Sequence, residues 1–375
     1  MKKSLLGLVM ALGLVACGEK AEAPKENEKP VVKIGVILPL TGNSADVGEM
    51  AKKAILLAQD EIPELSKYEY KFIIEDDQFK SAVTANVINK LVFQDKVNSV
   101  LTYYAPAGFI VQPIAEQHKI PHFSNTWEEN ITNGDYNFIQ YTTMEAMADL
   151  AIDYLQEKNI DKVAIITEVR GTSEKFASKL NDKMKKNGFD TAYETFNRGE
   201  RDFKLMIEKL KSQKYDYFMV NSIRPEFDII VKQLNEAGVS NEKIMGAGGD
   251  TIKDMSLYEG IVFSGSSIGT KSFQKKFNKK YGHDAGYGAV ISYDLANLVV
   301  SAFENIHKEE GIPSSEEIIE YLNNLAPYDC GAGRCKISPT GYIINDPILR
   351  KVINGKYEVI RDKSQTNSQP VVVEE

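Results

Sequence analysis

Short apolar runs alternate along this chain with longer segments of helical period. The run from Lys33 to Leu40 is apolar at nearly every position, as expected of a parallel strand buried on both faces. After a turn at residues 41–44, apolar residues recur every three or four positions from Val47 to Ile62, which predicts an amphipathic helix. The same pairing recurs downstream, so the sequence predicts an α/β fold of right-handed strand-helix-strand units.

Six further apolar runs predict strands, most of them followed by a helical segment: residues 72–74, 99–103, 120–123, 163–166, 217–220 and 244–246. The folded part begins near Val31 and is too long for one small core, so two lobes of ordinary domain size are expected. In open parallel sheets the ligand lies beyond the carboxyl ends of the strands. The loops that follow the apolar runs are therefore the candidate binding loops.

The amino terminus has the order of a secretory signal. Lys2 and Lys3 precede the apolar run from Leu5 to Val15, and Cys17 follows one small residue later. The segment Leu14-Val15-Ala16-Cys17 resembles the bacterial lipobox, which predicts a signal peptide over residues 1–16 and a lipid on Cys17. An ordinary cleaved signal that happens to contain a cysteine is the alternative. The run is too short to be a spanning helix.

Residues 17–30 are rich in Glu, Lys, Ala and Pro without an apolar period, which predicts a solvated tether. The formal net charge is -8, and removal of Lys2 and Lys3 with the signal changes it to -8 - 2 = -10. The basic residues form no long block. An acidic chain of this kind is a poor partner for nucleic acid and suits a soluble solute-binding body.

Two cysteines remain if Cys17 carries a lipid, and a disulfide between Cys330 and Cys335 is then the economical interpretation in an oxidising compartment. A zinc site would need more Cys or His close by. His118 and His122 are four residues apart, but the intervening proline blocks a helical metal pair, so both are expected in a loop or at an edge. No metal or cofactor is predicted.

Four segments together resemble one known family. They are the opening from Ile34 to Gly42, the pair Asp76-Asp77 followed by Ile120-Pro121 with Phe123-Ser124, the segment from Ser292 to Ala296, and the glycines Gly333 and Gly341 that bracket a late hairpin. In order and spacing they resemble the leucine/isoleucine/valine-binding group of type I periplasmic binding proteins, which are solute receptors of ABC transporters. The resemblance covers nearly all of the chain after Val31.

The resemblance implies two doubly wound parallel-sheet lobes joined by three crossing strands, which close on a ligand. The crossings are expected near residues 139–143, 264–270 and 337–343. Lobe 1 would comprise residues 31–140 plus 271–337, and lobe 2 residues 141–270 plus 338–375. Such a receptor is a monomer that binds a small solute, hands it to permease subunits and catalyses no reaction.

Local signals for an enzyme are missing from the sequence. There is no phosphate-binding glycine loop with Lys, no helical His pair with Glu and no nucleophile elbow. A lipoprotein that uses the same fold as a sensor, or to bind a protein of the envelope, is the alternative to a solute receptor. The two differ in the cleft, because a solute receptor needs convergent polar groups there.

On lobe 1 the resemblance places a ligand carboxylate at the loop after the third strand, where backbone N–H groups at a helix start form an anion site. That loop is Tyr104-Ala105-Pro106-Ala107-Gly108, and it lacks the hydroxyl-rich residues of the family. This difference favours a related carboxylated or amide solute over a branched-chain amino acid as the ligand. The alternative is a turn that only connects strand to helix.

The second candidate loop on lobe 1 follows Phe123 and contains Ser124, Asn125, Thr126 and Trp127, the one tryptophan of the chain. A tryptophan at a cleft rim can cover an apolar or aromatic solute or stack on a cation. A packed surface aromatic is the alternative.

On lobe 2 the resemblance places five residues in the loops after the strands: Arg170, Thr172, Ser222, Arg224 and Asp250. Asp250 could accept hydrogen bonds from a ligand ammonium, since charge-assisted bonds are strong in a closed site. The two arginines offer planar donors suited to a second carboxylate. Each of these charges could equally be a solvated surface group.

Replacing Cys17 with Ser should release the protein from the membrane fraction, because the thiol is the predicted site of the lipid. The measurement is fractionation of cells followed by a salt wash, with the unaltered chain as control. A Cys17→Ser protein that still sediments with membranes would contradict the anchor.

Overall fold

The computed structural model describes residues 29–42, 44–169, 171–247, 255–286 and 288–362, without the side chains of Thr172 and Ala247. Cys17 and most of the predicted tether lie outside the described residues, as do Arg170 and Asp250. Among the described helices, none is both long and apolar enough to cross a membrane.

The described residues form fifteen strands, which are in chain order β1 Val31–Leu38, β2 Glu69–Asp76, β3 Ser99–Tyr103, β4 His122–Asn125, β5 Asn137–Tyr141, β6 Lys162–Glu168, β7 Asp190–Phe196, β8 Tyr217–Asn221, β9 Ile244–Ala247, β10 Val262–Ser266, β11 Tyr328–Cys330, β12 Gly333–Ile337, β13 Tyr342–Asn345, β14 Pro347–Ile353 and β15 Lys356–Asp362.

They also form ten α-helices: α1 Ala45–Asp60, α2 Ser81–Lys90, α3 Ala105–Gln117, α4 Met144–Glu157, α5 Gly171–Lys186, α6 Lys204–Ser212, α7 Glu226–Glu236, α8 Lys271–Tyr281, α9 Ala289–Asn305 and α10 Ser315–Asn323. A π-helical turn, Leu91–Asp95, extends α2. Three short 3-10 turns occur at Glu129–Thr132, Asn241–Lys243 and Ser256–Tyr258.

The strands make two sheets, which confirms the predicted α/β fold with two sheets of mainly parallel strands. The first sheet has the order β11-β12-β13-β5-β4-β3-β1-β2, and the second has the order β15-β14-β10-β9-β8-β6-β7. Strands β1 to β5 run parallel to one another, as do β6 to β10. The antiparallel pairs involve β11 to β15, at one side of each sheet.

Each sheet is covered by helices on both faces, which is why its central strands are apolar at nearly every position. Helices α1, α8, α9 and α10 pack on one face of the first sheet, and α2 with α3 packs on the other. On the second sheet, α6 and α7 cover one face and α4 with α5 the other. Except for the strand predicted at residues 72–74, each predicted strand begins and ends within about two residues of the predicted run.

The chain passes between the two sheets three times. Two passages, between β5 and α4 and between β10 and α8, fall where the sequence predicted crossings. The third occurs at Asp346, between β13 and β14, and not over residues 337–343. Those residues belong to the β12–β13 hairpin, in which Ile337 pairs with Ile343 and β13 still pairs with β5. Residues 338–345 therefore belong to the first sheet.

We accordingly propose revised lobes: residues 31–141 with 271–345 for lobe 1, and residues 144–266 with 347–362 for lobe 2. The proposal follows sheet membership and the helices that share each core.

Three buried polar side chains, one from each passage, meet between the sheets. The hydroxyl of Thr142 lies 2.9 Å from that of Ser266, and the amide of Asn345 donates to Thr142 Oγ1 at 2.8 Å. All three side chains are almost fully buried. Because a buried polar group costs free energy when it is unpaired, Ser266 and Asn345 both depend on the hydroxyl of Thr142.

His122 was expected in a loop or at an edge, and this prediction is wrong. It lies inside β4 between β3 and β5, fully buried, with Nε2 2.9 Å from Thr102 Oγ1 and Nδ1 2.8 Å from Asn137 Oδ1. Burial lowers its pKa to about 4, against the hydrogen bond with Asn137, which favours the charged form. A neutral imidazole with both ring nitrogens bonded has a structural role in this sheet.

A disulfide joins Cys330 to Cys335 and closes a short loop between β11 and β12. The buried carboxylate of Asp294, on α9, accepts hydrogen bonds from the backbone N–H groups of Gly331 and Ala332 at 2.5 and 2.9 Å. The side chain of Gln140 donates a third bond at 3.3 Å. Burial raises the pKa of Asp294 to about 7 despite these three donors. The disulfide loop is thus fixed to α9 through one carboxyl group.

Thr142→Val should destabilise the protein by about 1–3 kcal/mol, because valine fills the same space but removes the hydroxyl to which the Ser266 hydroxyl and the Asn345 amide are bonded. Urea unfolding measures the change. Thr195→Val is the matched control, since Thr195 is exposed on β7 and should change stability by less than about 0.5 kcal/mol. Equal stabilities of the two variants would contradict the role assigned to the buried group.

Asp294→Asn tests the buried carboxyl group by its pH dependence. The folded-state pKa of about 7 lies above the ordinary value of 3.8, so the contribution of Asp294 to stability is full below pH 3.8 and is lost as the pH rises to about 7. Stability of the unaltered protein relative to Asp294→Asn should therefore fall by up to about 4 kcal/mol between pH 4 and pH 7.

Urea unfolding at pH 4, 5.5 and 7 measures this difference. Asp329→Asn is the control, because the Asp329 side chain is 92% exposed in the same hairpin. A pH-independent difference for Asp294→Asn would show that this carboxyl group titrates normally.

Candidate functional site

The carboxyl ends of the parallel strands in the first sheet meet at one edge and enclose a cavity. Strands β2, β3, β4 and β5 end there, and the cavity has a volume of about 140 Å³. Its described lining residues are Phe79, Tyr103, Tyr104, Ala105, Pro106, Asn125, Thr126, Trp127 and Tyr141. The site thus lies where ligands bind in open α/β sheets.

Residues 104–108 were predicted to form a loop, and the prediction is wrong in its extent. Helix α3 begins at Ala105, so Tyr104 alone separates β3 from the helix. Pro106 fits this early start because its fixed φ suits the first turn of a helix. Tyr104, Ala105 and Pro106 line the cavity, whereas Ala107 and Gly108 are buried beneath it.

Gly108 lets α3 pack closely against the sheet. A Cβ atom at this position would lie 2.7 Å from Ile131 Cδ1 and 3.0 Å from Ser124 Oγ. Since the first of these distances is shorter than real Cβ contacts, a larger residue would require the side chain of Ile131 or the start of α3 to shift.

The start of α3 supplies hydrogen-bond donors at the cavity. Among the described residues, the N–H groups of Ala105 and Ala107 have no acceptor, and Pro106 has no N–H to offer. No side chain caps this helix start. Free N–H groups and the positive end of the helix dipole favour an anion such as a carboxylate.

The second predicted loop also begins later than expected. Ser124 and Asn125 belong to β4, which pairs with β3 and β5 through both residues. Asn125 donates to Gly288 O at 3.0 Å and to Ser292 Oγ at 3.2 Å, which satisfies a polar side chain inside the sheet. Asn125, Thr126 and Trp127 line the cavity, and Ser124 does not.

Trp127 lies at the side of the cavity. Its ring packs edge to face against Tyr141 with centroids 5.4 Å apart, and its Nε1–H donates to Glu128 Oε1 at 3.0 Å. The side chain is half-buried, so one part remains accessible from the cavity.

Phe79 and Tyr104 come from different parts of the sequence but share one wall of the cavity. Their rings pack edge to face with centroids 5.3 Å apart. Both have positive φ, at 56° and 66°, a region that costs a non-glycine residue about 1–3 kcal/mol. Burial raises the pKa of Tyr104 to about 12, so its phenol is neutral at ordinary pH.

Two adjacent aspartates hold the turn that presents Phe79. Asp76 Oδ1 accepts from the N–H groups of Leu40 and Gln78 at 2.8 Å, and Asp77 Oδ1 accepts from the Phe79 N–H at 2.9 Å. Partial burial acts to raise the pKa of Asp76, but hydrogen bonds from Thr41, Gln78 and Leu40 outweigh it and keep the pKa below its usual value. A charged Asp76 thus fixes the loop beside the cavity.

The second sheet presents a different set of groups at its carboxyl edge. Glu168 is the last residue of β6 and is fully buried. Ser222 follows β8, and its hydroxyl donates to Glu168 Oε2 at 3.4 Å. Within the described residues, Glu168 Oε1 has no hydrogen-bond partner. Arg224 Nε lies 2.7 Å from Asp228 Oδ2, one helical turn farther along at the start of α7. The guanidinium of Arg224 therefore already has a carboxylate partner.

Thr172 was predicted in a loop on lobe 2, but its backbone lies in the first turn of α5, so that part of the prediction is wrong. Arg170 and Asp250 lie outside the described residues. The cavity residues that sequence reasoning missed are Phe79, Tyr103 and Tyr141. Each stands at or just after the end of a strand, and that position was the available signal.

One group of potential metal ligands occurs among the described residues, formed by Asp294, Cys330 and Cys335. The two sulfur atoms are bonded to each other and the carboxylate accepts backbone hydrogen bonds. Thiolate ligands are therefore not available in this oxidised form.

Comparisons with known proteins agree with this architecture. A family model described as periplasmic binding protein matches residues 31–356. A leucine-, isoleucine-, valine-, threonine- and alanine-binding protein of Pseudomonas aeruginosa is 24% identical over 312 residues, which are 78% of this chain and 82% of that protein.

Solved structures show the same fold at low identity. A leucine-binding protein from Thermotoga maritima superposes with a TM-score of 0.70 at 21% identity, covering 88% of this chain and 98% of that one. A solute-binding protein of an ABC transporter from Rhodopseudomonas palustris, in complex with 3,4-dihydroxybenzoic acid, superposes with a TM-score of 0.70 at 23% identity, covering 87% and 95%. With two sheets, three passages and a site at the strand ends, the chain belongs to the periplasmic binding protein family.

Proposed function

We propose that this chain is an extracytoplasmic solute receptor, anchored to a membrane by a lipid on Cys17. It binds a small molecule between its two lobes, closes on it, and delivers it as a monomer to the permease subunits of an ABC transporter. The solute is an amino acid or a related carboxylated or amide compound. It is a binding protein and not an enzyme.

The observation that carries the proposal is the cavity at the start of α3. The free N–H group of Ala105, which lines the cavity at the positive end of α3, suits a carboxylate, and the aromatic side chains beside it suit an apolar body. The similar proteins bind leucine and related amino acids in one case and 3,4-dihydroxybenzoic acid in another. All of these ligands carry a carboxyl group on an apolar frame.

Closure is proposed because polar groups also occur at the carboxyl edge of the second sheet. Glu168 and Ser222 lie there, and Arg170, Thr172 and Asp250 are expected nearby. A ligand that contacts both edges shifts the equilibrium toward the closed form by its extra affinity for that form.

The alternative is a lipoprotein of the same fold that acts as a sensor or regulates an envelope protein. Mass spectrometry of small molecules released by denaturing the purified mature protein separates the two. A receptor should release one compound in stoichiometric amount, whereas a regulator should release none and co-purify with a protein.

Ala105→Pro should weaken binding of the released solute by roughly ten- to a hundredfold, because it removes one N–H donor from a charged acceptor. Proline is tolerated at the first position of a helix, so the fold should persist. Calorimetry with the identified solute measures the affinity.

Ser315→Pro makes the same change at the first residue of α10, away from the cavity, and should leave affinity unchanged. An unchanged affinity in Ala105→Pro would remove the start of α3 from the binding site.

A further inference from the structure

Two aromatic residues at the cavity adopt backbone conformations that side chains of their size rarely adopt. Tyr104 has φ 66° and ψ 152°, a combination that glycine almost alone adopts. Phe79 has φ 56° and follows Gln78 at φ 55°. The two residues come from different junctions, after β3 and after β2, yet their rings are in contact at one cavity.

Packing alone does not explain this arrangement. Phe79 is 46% exposed and Tyr104 is only partly buried, so neither ring gains the full stabilisation of a core aromatic side chain. A glycine at either position would relieve the backbone. A bulky side chain at a cavity that is retained despite a strained backbone points to a role in contacting a ligand.

The other described aromatic residues of the cavity also pack in pairs. Trp127 packs on Tyr141, and Tyr103 packs on Tyr104 with ring centroids 4.3 Å apart. Five of the nine described lining residues are therefore aromatic, and none of the nine carries a charge. The volume of about 140 Å³ suits a single ring, because a dry cavity of about 150 Å³ in another protein binds benzene.

The sign of the ligand charge follows from the helix start. Aromatic ring faces attract cations, so an ammonium compound would be the competing occupant. However, Ala105 and Pro106 bring the positive end of α3 to the same cavity. None of the described lining side chains is a carboxylate, and Glu128, beside the cavity, already accepts the hydrogen bond of the Trp127 indole N–H. A carboxylate is favoured at that position.

We propose that the solute is an aromatic carboxylate, with its ring between the Phe79–Tyr104 pair and the Trp127–Tyr141 pair and its carboxylate at the start of α3. This inference rests on the proposed solute-binding function and specifies its substrate class. Phe79 is the residue that determines specificity for a flat ring.

The test uses the mature protein, freed of bound solute by unfolding and refolding, and four probes in calorimetry. They are benzoate, cyclohexanecarboxylate, phenyltrimethylammonium and leucine. Benzoate should bind at least about fivefold more tightly than cyclohexanecarboxylate, which has the same charge and similar size but no ring face. Phenyltrimethylammonium should bind more weakly than benzoate, and quenching of Trp127 emission should accompany benzoate binding.

Phe79→Leu should weaken benzoate binding roughly three- to tenfold and leave the affinity for cyclohexanecarboxylate nearly unchanged. The matched control is Phe93→Leu, because Phe93 is 56% exposed, packs on His118 and does not line the cavity. The control should retain the full preference for benzoate.

Three outcomes would overturn the inference. Cyclohexanecarboxylate or leucine binding as tightly as benzoate would reject the aromatic class and leave the solute-receptor function standing. Tighter binding of phenyltrimethylammonium would reject the anionic class. If no probe binds and the denatured native protein releases no small molecule, both this inference and the proposed function fail.

Discussion

The hydrogen bonds between Thr142, Ser266 and Asn345 are the constraint on which the arrangement of the two sheets depends. Each residue belongs to a different passage of the chain, and the passages are far apart in sequence. Their polar atoms are buried, so the contact persists only if all three passages are in place. Any rotation of one sheet relative to the other must be absorbed in the few residues beside them.

The position of the cavity follows from the topology of the first sheet. Parallel strands β2 to β5 all end at the same edge, and the junctions that leave those ends are short. Tyr104 is the single residue that connects β3 to α3, so the start of the helix is held at the cavity without an intervening flexible loop. Short connections therefore place backbone donors and aromatic rings together without dedicated charged side chains.

Much of the fold could be predicted from the sequence, because strands that are buried on both faces are apolar at nearly every position and helices carry an apolar stripe. The boundary of β4 could not. Ser124 and Asn125 look like loop residues, and the Asn125 amide is satisfied inside the sheet by bonds to Gly288 and Ser292, which are distant in sequence. The third passage was misplaced for a related reason, since β13 is held in the first sheet by its pairing with β5.

The candidate site was predictable in outline, as the ends of strands, but not in its chemistry. A positive φ at Phe79 or Tyr104 leaves no trace in residue type, because the sequence would favour glycine there. That mismatch matters for anyone who engineers this protein. A library sorted on heat resistance alone would enrich glycine at position 104, and the most stable clones would be those that had lost the Tyr104 ring from the wall of the cavity.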